Sequence, residues 1–196
     1  MTTSKKSRGG SRAIPILIIV LLLLAGILAA GIAVSGRIGK VAHPLKYVDE
    51  LKAAADRYGL KRSLVAAVVE TESSFRADAV SGDGAVGLMQ ILPSTAEWIA
   101  FRKGEEYVDG SLTDPAVNLD YGCWLLRFLL DRYGGNTRFA LIAYNAGHGR
   151  LDAWLKDDPT GELPEIPYAE TRGYVNRVTS CMEKYEKMYE KELGDN

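Results

Sequence analysis

The chain has 196 residues, a formal net charge of −1 and two cysteines. With no basic tract beyond its first residues, it lacks the electrostatic footprint of a nucleic-acid binder. Cys123 and Cys181 follow no zinc-site spacing, and His43 and His148 are far apart in sequence, so no structural metal is expected.

In chain order, residues 1–12 are polar and basic, with Lys5, Lys6, Arg8 and Arg12. Residues 13–34, from Ala13 to Val34, carry no charge and are mostly Ile, Leu, Ala and Val. Such a run meets the roughly 20 apolar residues that cross a bilayer. It exceeds the roughly 7–15 of a cleaved signal's apolar region. The reading is one N-terminal transmembrane signal-anchor; cleavage near Gly31-Ile32-Ala33, giving a secreted protein, is the alternative. The excess of Lys and Arg before the run places the N-terminus in the cytoplasm and the rest on the extracytoplasmic side. Residues 35–43 read as a linker and residues 44–192 as one compact domain with its own core. Outside the membrane a Cys123–Cys181 disulfide is permitted. Both cysteines fall on apolar helix faces, however, where free buried thiols fit equally well.

The exported part reads as mainly α. Pro44 opens a first helix whose face is Tyr47, Leu51, Ala54 or Ala55, and Tyr58, with Gly59 as its stop. Ser63 caps a second, carrying Leu64, Ala67, Val68 and Thr71 into Glu72. Ser81 to Gly87 is glycine-rich and reads as turns or a short β-hairpin. Ser94 and Glu97 form a capping-box signature for a helix ending near Gly104. Asp114-Pro115 is a cap followed by a proline at the first helical position. Asn118 caps a helix through Trp124, Leu126, Leu130 and Tyr133. Thr137 opens a short helix through Ile142, a loop with Pro159, Pro164 and Pro167 follows, and the last helix begins near Glu170. Its buried face is Tyr174, Val178, Cys181 or Met182, and Tyr185.

Glu72 lies where the apolar run Val65-Ala66-Ala67-Val68-Val69 meets the glycine-rich loop. A carboxyl group among such side chains has its charged form disfavoured, so its pKa rises, as a general acid for glycoside cleavage requires near neutral pH. Taken alone, a glutamate at a helix end is more often a solvated carboxylate. Glu70, two positions away, points to another side of the helix and is no facing partner.

Read together, three segments say more. Glu72-Ser73-Ser74-Phe75, Ser81 and Gly84-Ala85-Val86-Gly87-Leu88-Met89-Gln90-Ile91-Leu92-Pro93-Ser94-Thr95-Ala96 come first, then Ala143-Tyr144-Asn145-Ala146-Gly147, then Glu170-Thr171-Arg172-Gly173-Tyr174-Val175. In this order they closely resemble the three motifs of the soluble lytic transglycosylase family, and three ordered motifs are far more specific than one. The resemblance covers roughly Leu45 to Val178. It implies a goose-type, lysozyme-like helical domain with a substrate groove for peptidoglycan glycan strands and no cofactor. It also implies roles: Glu72 as the catalytic acid/base, and Ser81, Gln90, Tyr144, Asn145 and Glu170 along the substrate, with Tyr144 orienting the glutamate. Ser73, Gly87, Met89 and Tyr174 support the site. Leu92 stands where many members have Met, and His148 follows the second motif at a position where the family varies. The reaction so implied is non-hydrolytic cleavage with a 1,6-anhydro product. Two alternatives stay open: a lysozyme-type hydrolase, for which Asp78 or Asp83 would be the second carboxylate, and a glycan-binding scaffold of an envelope assembly.

Overall fold

The computed structural model describes residues 24–28 and 39–195. Residues up to Ala42 and those from His43 onward form separate units. In the first, residues 24–28 and 39–42 are helical. Among the described residues no helix is long and apolar enough to cross a membrane; most of the expected anchor at residues 13–34 lies outside them.

The second unit is built from α1 (Val48–Arg57), α2 (Arg62–Ser73), α3 (Pro93–Lys103), α4 (Pro115–Arg132), α5 (Thr137–Ala146), α6 (His148–Asp157), α7 (Ala169–Met188) and a short α8 (Glu190–Leu193). The mainly helical expectation therefore holds. The glycine-rich segment contributes only two antiparallel bridges, Val80 with Val86 and Val86 with Ile91, rather than a continuous hairpin.

α2 is the central element. Leu64 to Val69 are all buried, which is why this stretch shows a continuous apolar run instead of one stripe. It lies along α7. Its first amides are met by the chain's own tail: Asp195 accepts from Arg62 N and Ser63 N, both at 2.7 Å. A carboxylate there satisfies orphan donors and complements the helix dipole. Ser63, expected as the cap, is instead a buried residue inside the helix.

Other ends also differ from expectation. α1 starts only at Val48, because Tyr47 takes a left-handed conformation (φ 51°) and residues 44–47 have no regular secondary structure. α3 begins with Pro93 in its first turn and has no side-chain cap, so Ser94 and Glu97 form no capping box. Asp114 does cap α4, accepting from Ala116 N (2.9 Å) and Val117 N (3.1 Å). Asn118 is no cap but a buried residue within α4. α5 does open at Thr137 as expected, with Asn136 as its cap accepting from Phe139 N at 3.1 Å. α6 was unexpected: it buries Leu151 alone, carries no cap side chain, and opens at Gly147 with φ 87°. A helix with so thin an apolar stripe leaves little periodicity to read. Cys123 and Cys181 are both free.

Candidate active site

Glu72 is the penultimate residue of α2, and the chain leaves that helix abruptly. Ser74 and Phe75 are both left-handed, φ 52° and 58°, a conformation L-residues adopt at a cost. Phe75 is buried, tilted against Tyr185 at 6.2 Å between ring centroids, and this packing holds the turn. Ser73 closes it from the other side: its hydroxyl lies 2.8 Å from Leu88 O and 3.1 Å from Val69 O. The end of α2 is thereby bonded to the glycine-rich loop.

That loop is fixed in turn by Asn118. Its Oδ1 accepts from Met89 N at 2.7 Å, and its Nδ2 donates to Val86 O (2.9 Å) and Leu112 O (2.8 Å). Gly87 makes the approach possible. With φ 82°, a Cβ there would stand 2.2 Å from Asn118 Nδ2 and 2.3 Å from Leu112 O. Gly122, on α4, similarly leaves room for the Met89 side chain. Gln90, itself left-handed at φ 49°, donates from Nε2 to Gly87 O (2.9 Å) and Ala79 O (3.2 Å). Each of these residues shapes the loop that faces the end of α2.

Burial pushes the Glu72 carboxyl up to about 7, against the downward pull of the Tyr174 hydroxyl and the Arg177 guanidinium. Desolvation wins because one partner is a neutral phenol and the other an exposed cation. Tyr174 is buried and its hydroxyl makes no hydrogen bond of normal geometry, yet it is near enough to act on Glu72's titration. Tyr144 donates to Met89 O at 2.8 Å, so its proton is committed to the loop. Burial and then the Glu72 charge push both phenols well above the usual tyrosine range. Both therefore stay neutral and keep their protons.

The other predicted residues take less central places. Asn145 accepts from Thr171 Oγ1 at 2.8 Å, joining α5 to α7. With Tyr144 it lines a cavity of about 510 Å³ bounded also by Leu92, Thr95, Trp98 and His148. Ser81 is exposed and its Oγ accepts from Ala85 N at 3.0 Å. Glu170 is exposed in the first turn of α7. Asp78 and Asp83 are exposed as well. Glu70 bonds to His43. Sequence reasoning missed Arg177 altogether and the roles of Asn118, read as a helix cap, and Thr171, named only within the third motif. Only Arg177 carried a readable sign: it lies three residues after Tyr174, on the same helical face.

Glu72 is thus a carboxyl group whose pKa is raised by burial at a helix end, near the neutral phenols of Tyr174 and Tyr144, the second of which lines the cavity, and a group so perturbed is a candidate for acid/base chemistry on a bound ligand. The chain belongs to the transglycosylase SLT domain family, whose model matches residues 49–165. It is 34% identical over 159 residues to the soluble lytic murein transglycosylase of Escherichia coli, covering 78% of this chain and 24% of that protein. Over 180 residues it is 32% identical to membrane-bound lytic murein transglycosylase C of Serratia proteamaculans, covering 79% of this chain and 50% of that one. It thus spans between a quarter and half of these relatives. Among solved structures, the 70-kDa soluble lytic transglycosylase of E. coli matches with a TM-score of 0.71 at 32% identity, over 77% of this chain and 26% of that one. An inactive glutamate-to-glutamine mutant of lytic transglycosylase Slt from Pseudomonas aeruginosa matches with a TM-score of 0.70 at 34% identity, over 76% of this chain and 25% of that one.

Proposed function

We propose that this protein is a membrane-anchored peptidoglycan lytic transglycosylase. The observation that carries the reading is Glu72 with its pKa at about 7, a carboxyl group that can give a proton and take one back at neutral pH. The E. coli and Serratia relatives, named as murein transglycosylases, supply the substrate class.

Neutral Glu72 protonates the glycosidic oxygen between N-acetylmuramic acid and N-acetylglucosamine. As that bond breaks, the 2-acetamido oxygen of the muramic acid stabilises the cationic anomeric carbon, the substrate-assisted route. The Glu72 carboxylate then removes the proton of the muramic acid 6-hydroxyl, whose oxygen bonds to the anomeric carbon. The product is a 1,6-anhydro ring, water is not consumed, and Glu72 ends protonated. No cofactor enters. Tyr174 and Arg177 stabilise the carboxylate during the step in which it is charged. Asn145, Gln90, Ser81 and Glu170 hold the glycan, and the cavity beside Tyr144 takes part of it. Asp78, Asp83 and Glu170 are exposed, which favours a single-carboxyl mechanism over the paired carboxylates of ordinary glycosidases.

The test is mass spectrometry of muropeptides released from purified sacculi by the full chain and by its Glu72→Gln variant. Anhydro-muramic ends from the wild type alone are expected. Reducing ends would make the protein a lysozyme-type hydrolase. Binding to sacculi without any release would make it a scaffold.

A further inference from the structure

Sequence spacing gave no reason to expect a metal, but the fold brings together residues that spacing keeps apart. His43, Glu70 and Cys181 come from the bend before α1, from α2 and from α7, and one ligand atom of each lies within 4.8 Å of the others. Among the described residues this is the one cluster of three potential metal ligands. We propose that it is a zinc site, clamping the N-terminal segment of the domain to the catalytic helix; the proposal stands independently of the reaction assigned above.

The donor set is an imidazole, a carboxylate and a thiol. That mixture suits a borderline-soft, four-coordinate Zn²⁺ with one position left to water, and not calcium or magnesium, which take oxygen ligands. His43 Nδ1 already stands 2.5 Å from Glu70 Oε1. The second carboxylate oxygen, Glu70 Oε2, is buried and has no hydrogen-bond partner. An unpaired buried carboxylate oxygen is costly, and a cation would satisfy it. The nearby Tyr185 hydroxyl is no remedy, since it donates to Pro44 O at 2.9 Å. A cavity of about 480 Å³, lined by Glu70, Thr71, Ser74, Asn176 and Cys181, gives the ion a polar way in.

The histidine is held in place from behind. Tyr189 donates to His43 O at 2.8 Å and Tyr185 fixes the next carbonyl. Fixing a ligand through its neighbours is how metal sites are usually oriented. Lys184 Nζ lies 3.2 Å from His43 Nε2. It donates there, so Nδ1 carries the imidazole proton and donates to Glu70. On metal binding that proton moves to Nε2, Nδ1 becomes the ligand, and the exposed Lys184 turns to solvent. The Cys181 thiol loses its proton to water, so one proton leaves for each ion bound, with no redox change. The ion would join three segments around the end of α2, two residues from Glu72.

The test uses Co²⁺ as a spectroscopic substitute and then Zn²⁺, added as chlorides to the metal-free full chain in detergent. One equivalent of Co²⁺ should give a thiolate-to-cobalt charge-transfer absorption that Zn²⁺ abolishes. Cys181→Ser should lose the band, and His43→Ala should weaken binding on the order of 100-fold. Cys123→Ala, with its thiol buried elsewhere, should keep both band and affinity. Zn²⁺ should also raise the Tm of the wild type but not of Cys181→Ser, because a ligand of the native state stabilises only where it binds. No band in the wild type, or a band that survives Cys181→Ser, overturns the proposal. If Cys181→Ser fails to fold, His43→Ala decides: its site lies outside every helix, and unchanged affinity there overturns the proposal equally.

Discussion

Glu72 is where burial, charge and chemistry compete within one residue. A free glutamate titrates near 4.5, and in the native protein Glu72 titrates at about 7. The native state therefore holds a proton that the unfolded chain gives up between these values. Stability is full below about 4.5 and falls as pH rises through 7. Glu72→Gln removes that loss. The variant should gain about 1–3 kcal/mol over the wild type near pH 8 and almost nothing near pH 4, read by urea unfolding at both. Equal differences at the two pH values would mean the carboxyl is not perturbed. Activity should also decline above about pH 7, as the acid form is depleted. Arg177 pulls Glu72's pKa down, so Arg177→Met should shift this alkaline limb to higher pH. Tyr174→Phe should do the same by removing the phenol. A limb that stays put in both variants would separate Glu72 from the groups placed beside it.

At the scale of elements, the end of α2 that carries Glu72 depends on a loop, and the loop on α4. Gly87→Ala puts a Cβ against Leu112 O, a backbone atom that cannot swing away, at a positive φ that alanine resists. It should destabilise by roughly 2–4 kcal/mol. Asp114→Ala removes only the exposed cap of α4 and should cost about 1 kcal/mol. Chemical denaturation of both variants checks the order; a larger loss at Asp114 would mean the loop yields. The same elements show what the sequence could reveal. α1, α4 and α7 were readable because each buries one face against the core, and Asp114-Pro115 because its cap is local. Asn118 was misread as a cap because its residue type favours that role. Its actual partners lie up to 32 residues earlier in the chain, and only the fold brings them there. Ser63 failed likewise, displaced by a carboxylate from the far end of the domain. The motif residues around Glu72 were legible by resemblance, Arg177 and the His43 cluster hardly at all.

At the scale of the whole molecule, the proposed anchor, the uncharged run at residues 13–34, would set where the domain works. A run of that length would, as a helix at ~1.5 Å per residue, measure about 33 Å, against a bilayer core of about 30 Å. In that proposal its basic flank would keep the N-terminus in the cytoplasm. The full chain should therefore sediment with membranes, resist high salt and alkaline carbonate, and be released by detergent. Placing two lysines in the run, Leu21→Lys with Leu23→Lys, costs roughly 2.5–3.5 kcal/mol for each near the centre of a span and should abolish membrane retention. Intact mass distinguishes the alternative, since cleavage near Ala33 would remove the basic N-terminus and release the domain. An anchored enzyme can reach only glycan within the length of its linker, whereas a released one reaches the whole wall. The mass of the membrane-associated species thus decides whether Glu72 works at the membrane surface or throughout the peptidoglycan.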